Sequence, residues 1–217
     1  MTDGDAQLDR GWRGTRSGWI AGAYEVFLQG GVEAVKIQPL ARKLRLSRTS
    51  FYWHFEDRDA LLDALIALWQ TKNTGNLIRQ TELPAESISA AVLNIFDCWM
   101  SPDLFDPRFD YAMRGWGRSD PRVRARIVEA DRDRLDAIRE MFERHGFDRQ
   151  EADIRASTLY LTQVGYFEVE PSEPLEKRLK HAPTYVETFA GRRPSAAEYA
   201  AFLARQRRWR EKPGAAG

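Results

Sequence analysis

The chain has 217 residues, of which 43% are hydrophobic and 30% charged, and its formal net charge is +1. Such a length and balance suit a globular protein with ample chain for a core, and a charge so near zero gives no global argument for nucleic-acid binding. A single cysteine, Cys98, excludes an internal disulfide framework and suits a reducing cytoplasm, the polar and acidic N-terminus does not read as a signal peptide, and no apolar run approaches the ~20 residues a membrane span needs.

The pattern is helical almost throughout, with no alternating run that would make a strand, so the expected fold class is all-α. A first helix is expected over about Thr15–Gln29, with Trp19, Ile20, Ala23, Val26 and Phe27 as its apolar stripe and Gly30-Gly31 as its end. A short second helix, Ile37–Leu44, carries Pro39 in its first turn. Ser47 reads as the cap of a third helix, and Asp57 as the cap of a fourth that runs to about Thr71. Asn73-Thr74-Gly75-Asn76 reads as a break.

Longer helices follow: Glu86–Met100, Arg108–Trp116 after a Pro102/Pro107 connection, and a long one from Asp120-Pro121 to His145. Asp148 with Glu151, and Ser195 with Glu198, have capping-box spacing and open two further helices. Between them lies a helix over about Leu175–Phe189. The expected organisation is a flexible arm over 1–12, a helix-turn-helix domain over 13–57, a helical ligand-binding and dimerisation domain over 58–210, and a disordered tail over 211–217. Residues 58–72 form the connecting helix.

The first third is locally basic. Between Arg10 and Phe55 there are eight basic residues against two acidic ones, which points to a phosphate-binding face. Within it, the stretch SRTSFYWHF (47–55) divides by face when wound as a helix. Phe51 and Phe55 are i, i+4 and turn inward. Arg48 and Tyr52, and Thr49 and Trp53, have the same spacing and tile the other side, with Ser50 and His54 at the edges. A short helix, a tight turn and a second short helix with such an outer face make a helix-turn-helix. Arg48 can pair with guanine and Thr49 can touch a thymine methyl in the major groove. Tyr52 and His54 suit phosphates, which fix position without reading sequence. Arg10 and Arg13 suit a mobile arm or a groove contact equally well.

These residues resemble the TetR family of one-component transcriptional regulators. Ile20–Phe27 and Gly31 match its first helix and the glycine after it. Ile37 with Leu40-Ala41 matches its second helix. Leu46-Ser47-Arg48, Phe51-Tyr52 and His54-Phe55 match its recognition helix. Asp59–Leu62 matches the start of its fourth helix, with Arg58 where lysine is usual. The resemblance covers about residues 13–70. It implies a DNA-binding set of Lys36, Ser47, Arg48, Thr49, Ser50, Tyr52, Trp53, His54 and Arg58. The chain departs from the family at Arg45, where glycine is common, at Thr49, where a small residue is common, and at Lys36, which replaces a capping hydroxyl. If position 45 needs a positive φ, arginine there costs about 1 kcal/mol.

In the remaining two-thirds, the segment from 99 to 116 is rich in Trp, Phe and Met and is broken by two prolines. Trp99, Met100, Phe109, Met113 and Trp116, with Tyr160 and Gln163 as polar members, are the candidates for a pocket that takes a small, partly apolar effector. By resemblance the last long helices, at about 149–170 and 175–190, form a homodimer, and the partners are a palindromic double-stranded operator and that effector. No cofactor and no metal is expected. The three histidines (His54, His145, His181) have no metal-ligand spacing, and G-x-S-x-G, G-x-G-x-x-G and phosphate-loop motifs are missing from the sequence, which argues against an enzyme. The reading is a ligand-responsive regulator, as a rule a repressor in this family. The alternative is a helical ligand-binding or interaction protein that does not bind an operator.

Overall fold

The computed structural model describes residues 14–169 and 173–211. The expected arm (1–12), Arg10, Arg13 and the tail from Lys212 onward lie outside the described residues. Among the described residues every regular element is helical: eleven α-helices and one π-helix. They fall into two compact units, one holding the chain up to Trp69 with Ala112–Ala125, the other Gln70–Tyr111 and the chain from Arg126.

The N-terminal unit opens with α1 (Arg16–Ala34), whose first turn is closed by the Gly18 N–H donating to the Thr15 hydroxyl at 3.0 Å. Trp19, Ala23 and Phe27 form its fully buried stripe. The expected end at Gly30-Gly31 is instead a kink. Gly31 leaves the helical path at φ 67°, and one further turn reaches Ala34. A left-handed residue breaks the hydrogen-bond ladder without forbidding another turn after it. Helix α2 (Ile37–Leu44) packs close on α1 at Gly22, where a Cβ would come within 2.8 Å of Leu44 Cδ2. Arg45 ends α2 at φ 56°, the only non-glycine residue at positive φ among those described. The Leu46 N–H reaches back to the Ala41 carbonyl at 2.9 Å and the Arg45 N–H to Arg42 at 3.1 Å, so the last carbonyls are satisfied. After α3 (Arg48–Phe51), Asp57 accepts the Ala60 N–H at 2.8 Å and opens α4 (Arg58–Trp69), which buries Leu61, Leu62, Leu65 and Trp69.

The break expected at Asn73-Thr74-Gly75 is not a loop. Residues Gln70–Gly75 form a π-helix that runs on into α5 (Asn76–Glu82). The wider turn brings Asn73 and Thr74 inward, where both are buried. There the Asn73 amide donates to the Asp106 carbonyl at 2.9 Å and accepts the Asp106 N–H at 3.1 Å. Polar residues that look like a loop in isolation are in fact buried hydrogen-bond partners.

Helix α6 (Ile88–Met100) is the axis of the C-terminal unit. Residues Ala91–Trp99 are all buried, and α6 packs against α5, α10 (Leu175–Ala190) and α11 (Ala196–Arg210). Helices α7 (Pro107–Gly117), α8 (Pro121–Arg144) and α9 (Arg149–Glu168) complete the order. Asp106 and Asp120 cap α7 and α8 through the N–H groups two residues on, each at 2.9 Å. Ser195 and Glu198 form the full capping box of α11, whereas Glu151 in α9 gives its carboxylate to Arg155. Pro183 lies inside α10 and deprives the Leu179 carbonyl of its helical donor, and the Tyr199 hydroxyl donates to that carbonyl at 3.0 Å. Cys98 is buried in this core, and desolvation pushes its thiol up to about 12, so it is no nucleophile at neutral pH.

Candidate nucleic-acid interface and ligand cavity

Helix α3 is a single turn. The Ser50 N–H donates to the Ser47 hydroxyl at 3.1 Å, and the chain leaves the helix after Phe51, where the His54 and Phe55 N–H groups both reach the Phe51 carbonyl. Phe51 is fully buried, edge-on to Trp19 at 5.3 Å and stacked on Phe55 at 5.4 Å. This aromatic anchor fixes which side of the turn faces out. On that outer side Lys36, Ser47, Arg48 and Thr49 are exposed, and the large rings of Tyr52 and Trp53 are 49% and 63% exposed. Two aromatic rings that wet, beside Arg48, form a surface suited to contact. Arg48 approaches the Tyr52 hydroxyl at 3.4 Å, which holds the two side chains together along one face. Arg42 and Arg45 are exposed as well and were missing from the expected set, although both are basic and border the turn.

Three expected members are placed differently. Ser50 is 2% exposed, and its hydroxyl donates to the Ser47 carbonyl at 2.7 Å, so it serves the turn. Arg58 donates to the Val35 and Val32 carbonyls at 2.6 Å each. It thereby caps the end of α1, and its guanidinium is committed to that task. His54 is half-buried, with Nε2 shut off from solvent and without a hydrogen-bond partner among the described residues.

In the C-terminal unit a cavity of about 60 Å³ lies between α6, α9 and α10. It brings together three of the seven expected pocket residues, Trp99, Met100 and Gln163, with Phe96, Tyr166, Arg178, Tyr185 and Phe189 among its other walls. The other four lie elsewhere. Phe109 and Met113 are fully buried core, and Trp116 belongs to the N-terminal unit, edge-on to Phe27 at 5.8 Å. Tyr160 puts its hydroxyl into a buried polar cluster instead. It donates to Asp131 at 2.6 Å and accepts from Arg134 at 3.0 Å. The Arg134 side chain is fully buried and also donates to Asp110 and Thr74, each at 3.0 Å. Burial works against its charge, and Asp110 and Tyr160 outweigh that penalty and hold its pKa above the ordinary value. Cavity residues such as Arg178 were missed because a cation in the run KRLKH reads as a solvated face.

Among the described residues no cluster of His, Cys, Asp and Glu suits a metal ion, and no helix is long and apolar enough to cross a membrane.

Residues 20–65 match the family model of bacterial regulatory proteins, tetR family. Over 64 residues the chain is 33% identical to the tetracycline repressor protein class G of Vibrio anguillarum. That alignment covers 29% of this chain and 30% of that repressor, so the match spans under a third of the relative's length. Two solved structures share the fold. The fatty acid degradation regulator FadR of Bacillus halodurans superposes with a TM-score of 0.60 at 14% identity, covering 82% of this chain and 97% of the regulator. The transcriptional regulator FadR of Bacillus subtilis, solved in complex with stearoyl-CoA, gives 0.56 at 15% identity, covering 81% and 97%. Identities this low carry the fold and nothing finer. The part of the chain that carries the tetR-family match, residues 20–65, is the helix-turn-helix with its capped α3 and its buried Phe51.

Proposed function

We propose that the chain is a cytoplasmic, ligand-responsive transcriptional repressor. Two copies hold a palindromic operator through their α3 turns and release it when a small molecule occupies the cavity of the C-terminal unit. The observation that carries this reading is the division of residues 47–55, with Phe51 and Phe55 buried and Arg48, Thr49, Tyr52 and Trp53 exposed. A helix presented in this way fits the major groove, where arginine reads guanine and threonine meets a thymine methyl. Lys36, Ser47, Arg42 and Arg45 border it and suit phosphates. His54 joins them at the margin; Ser50 and Arg58 support the turn from within.

A two-fold dimer is required to place two such turns one DNA turn apart, ~34–36 Å. Support for the dimer comes from exposed apolar residues on the expected pair of helices. Ile154 and Leu161 of α9 are 62% and 60% exposed at i, i+7 spacing, and Tyr185 of α10 is exposed as well. Such a stripe is better buried against its own copy. Effector binding then favours a dimer of different spacing, a coupling of about 1–3 kcal/mol.

Selection of bound DNA from a random double-stranded library tests the reading. We expect enrichment of a palindrome whose half-sites are about one helical turn apart, and loss of that preference in Arg48→Ala. A library that stays random after selection with the wild-type protein would leave a helical interaction protein as the better description.

A further inference from the structure

The cavity of the C-terminal unit carries more information than its size. Most of its wall is aromatic or aliphatic: Phe96, Trp99, Met100, Leu159, Tyr185 and Phe189. Set into that wall are two hydrogen-bond donors with little to do. The Gln163 amide nitrogen, Nε2, is shut off from solvent and has no hydrogen-bond partner among the described residues. Arg178 is half-buried. Its guanidinium lies over the Tyr166 ring at 5.2 Å, and no described carboxylate is within ion-pair distance of it.

The carboxylate in the cavity wall is Glu173, and it already has partners. It accepts from the Tyr166 hydroxyl at 3.0 Å, pairs with Lys177 at 3.1 Å and faces His181 at 3.7 Å. Glu173 and Arg178 both line the cavity; Glu173 has its ion pair with Lys177, and Arg178 has none among the described residues. Burial works against the guanidinium charge and lowers the arginine's pKa, with Tyr166 and Glu173 opposing. A half-buried cation with no ion-pair partner among the described residues is suited to an anion that enters with its own apolar body. Arginine's planar fork matches a carboxylate in two parallel hydrogen bonds.

We propose that the effector is a small aromatic carboxylate, with its ring among Trp99, Phe96 and Phe189 and its carboxylate on Arg178 and the Gln163 amide. A water needs ~10–15 Å³ of such space, so a cavity of about 60 Å³ suits a small ligand, on the order of a single ring. This inference rests on the reading of the C-terminal unit as the effector-binding part.

The test is isothermal titration calorimetry of the full-length protein with benzoate, phenylacetate, the neutral phenylacetamide and the cationic phenethylammonium. We expect at least one of the two acids to bind saturably, and the amide and the amine to bind at least ten-fold more weakly. Arg178→Gln should weaken the acid at least ten-fold with unchanged circular dichroism, Arg178→Lys should retain part of the affinity, and Gln163→Leu should lose several-fold. If Arg178→Gln fails to fold, the lysine and leucine variants decide the matter by the same criterion. The proposal is overturned if neither acid binds the wild type, if the amide or the amine binds as well as the acids, or if the foldable variants leave the acid's affinity unchanged. Operator release is measured separately on the selected DNA. An acid that binds without releasing DNA leaves the site assignment standing and overturns the regulatory reading. Release by a neutral or cationic compound, with no binding of the acids, does the reverse.

Discussion

Phe51→Ala separates the core role of the 47–55 stretch from its contact role. Phe51 is fully buried and meets three rings: Trp19 at 5.3 Å, Phe55 at 5.4 Å and Tyr52 at 5.4 Å. Truncating a buried phenylalanine removes its transfer free energy and leaves a cavity, about 3–5 kcal/mol together. That is a large part of the roughly 5–15 kcal/mol that holds an ordinary domain. The neighbouring Tyr52→Ala removes a ring that is half exposed, and the edge contact it forfeits contributes only about 0.5–1.5 kcal/mol. Urea unfolding followed by far-UV circular dichroism and tryptophan fluorescence reads both, with Trp19 inside the affected cluster. We expect Phe51→Ala to move the N-terminal unit's transition by at least about 3 kcal/mol, and Tyr52→Ala to leave it nearly in place while weakening operator binding. A Phe51→Ala protein as stable as wild type, or a Tyr52→Ala protein that unfolds, would refute the division of faces.

Other substitutions test single features. Arg45 stands at φ 56°; Arg45→Gly should stabilise the N-terminal unit by about 0.5–1 kcal/mol, the relief of left-handed strain less glycine's extra chain entropy, as thermal unfolding will show. Arg134→Leu deprives the buried Asp110 of its arginine and should destabilise the C-terminal unit by about 3–5 kcal/mol; adding Asp110→Asn should recover part of it in a double-mutant cycle. Burial pushes the Asp97 carboxyl up to about 6 from 3.8, against the hydrogen bond from Gln206 and the pairing with Arg205. The folded state therefore holds that proton more tightly than the unfolded chain does. Stability from this group is present at low pH and lost as pH rises from about 4 through about 6, and Asp97→Asn should flatten that slope in denaturant titrations.

The helix-turn-helix was readable because its signals are local. Ser47 and the Ser50 N–H are three residues apart, Phe51 and Phe55 four, and the left-handed residue that ends α2 sits directly before Leu46. What was misread depends on distant partners. Asn73 and Thr74 read as a break because their hydrogen-bond partners, Asp106 and Arg134, lie 33 and 60 residues away. Arg58 reads in the sequence as a DNA contact, and its hydrogen bonds to the Val35 and Val32 carbonyls, 23 and 26 residues back, are not visible there. Aromatic content pointed to the 99–116 segment, yet Phe109 and Met113 are core and Arg178 lines the cavity. Periodicity marks which residues are apolar; it does not mark which buried wall faces empty space.

In the proposed function, the outer face of α3 and its bordering cations hold DNA by phosphate contacts and base reading together. A salt titration of operator affinity, by fluorescence anisotropy on the selected palindrome and on a scrambled duplex, tests it most directly. If Lys36, Arg42 and Arg45 each engage a phosphate in both protomers, the logarithm of affinity should fall against the logarithm of salt with a slope of about −5. The palindrome should stay well above the scrambled duplex throughout, and Lys36→Ala should lower the slope while keeping the preference. A shallow slope, with both duplexes bound alike, would contradict the claim.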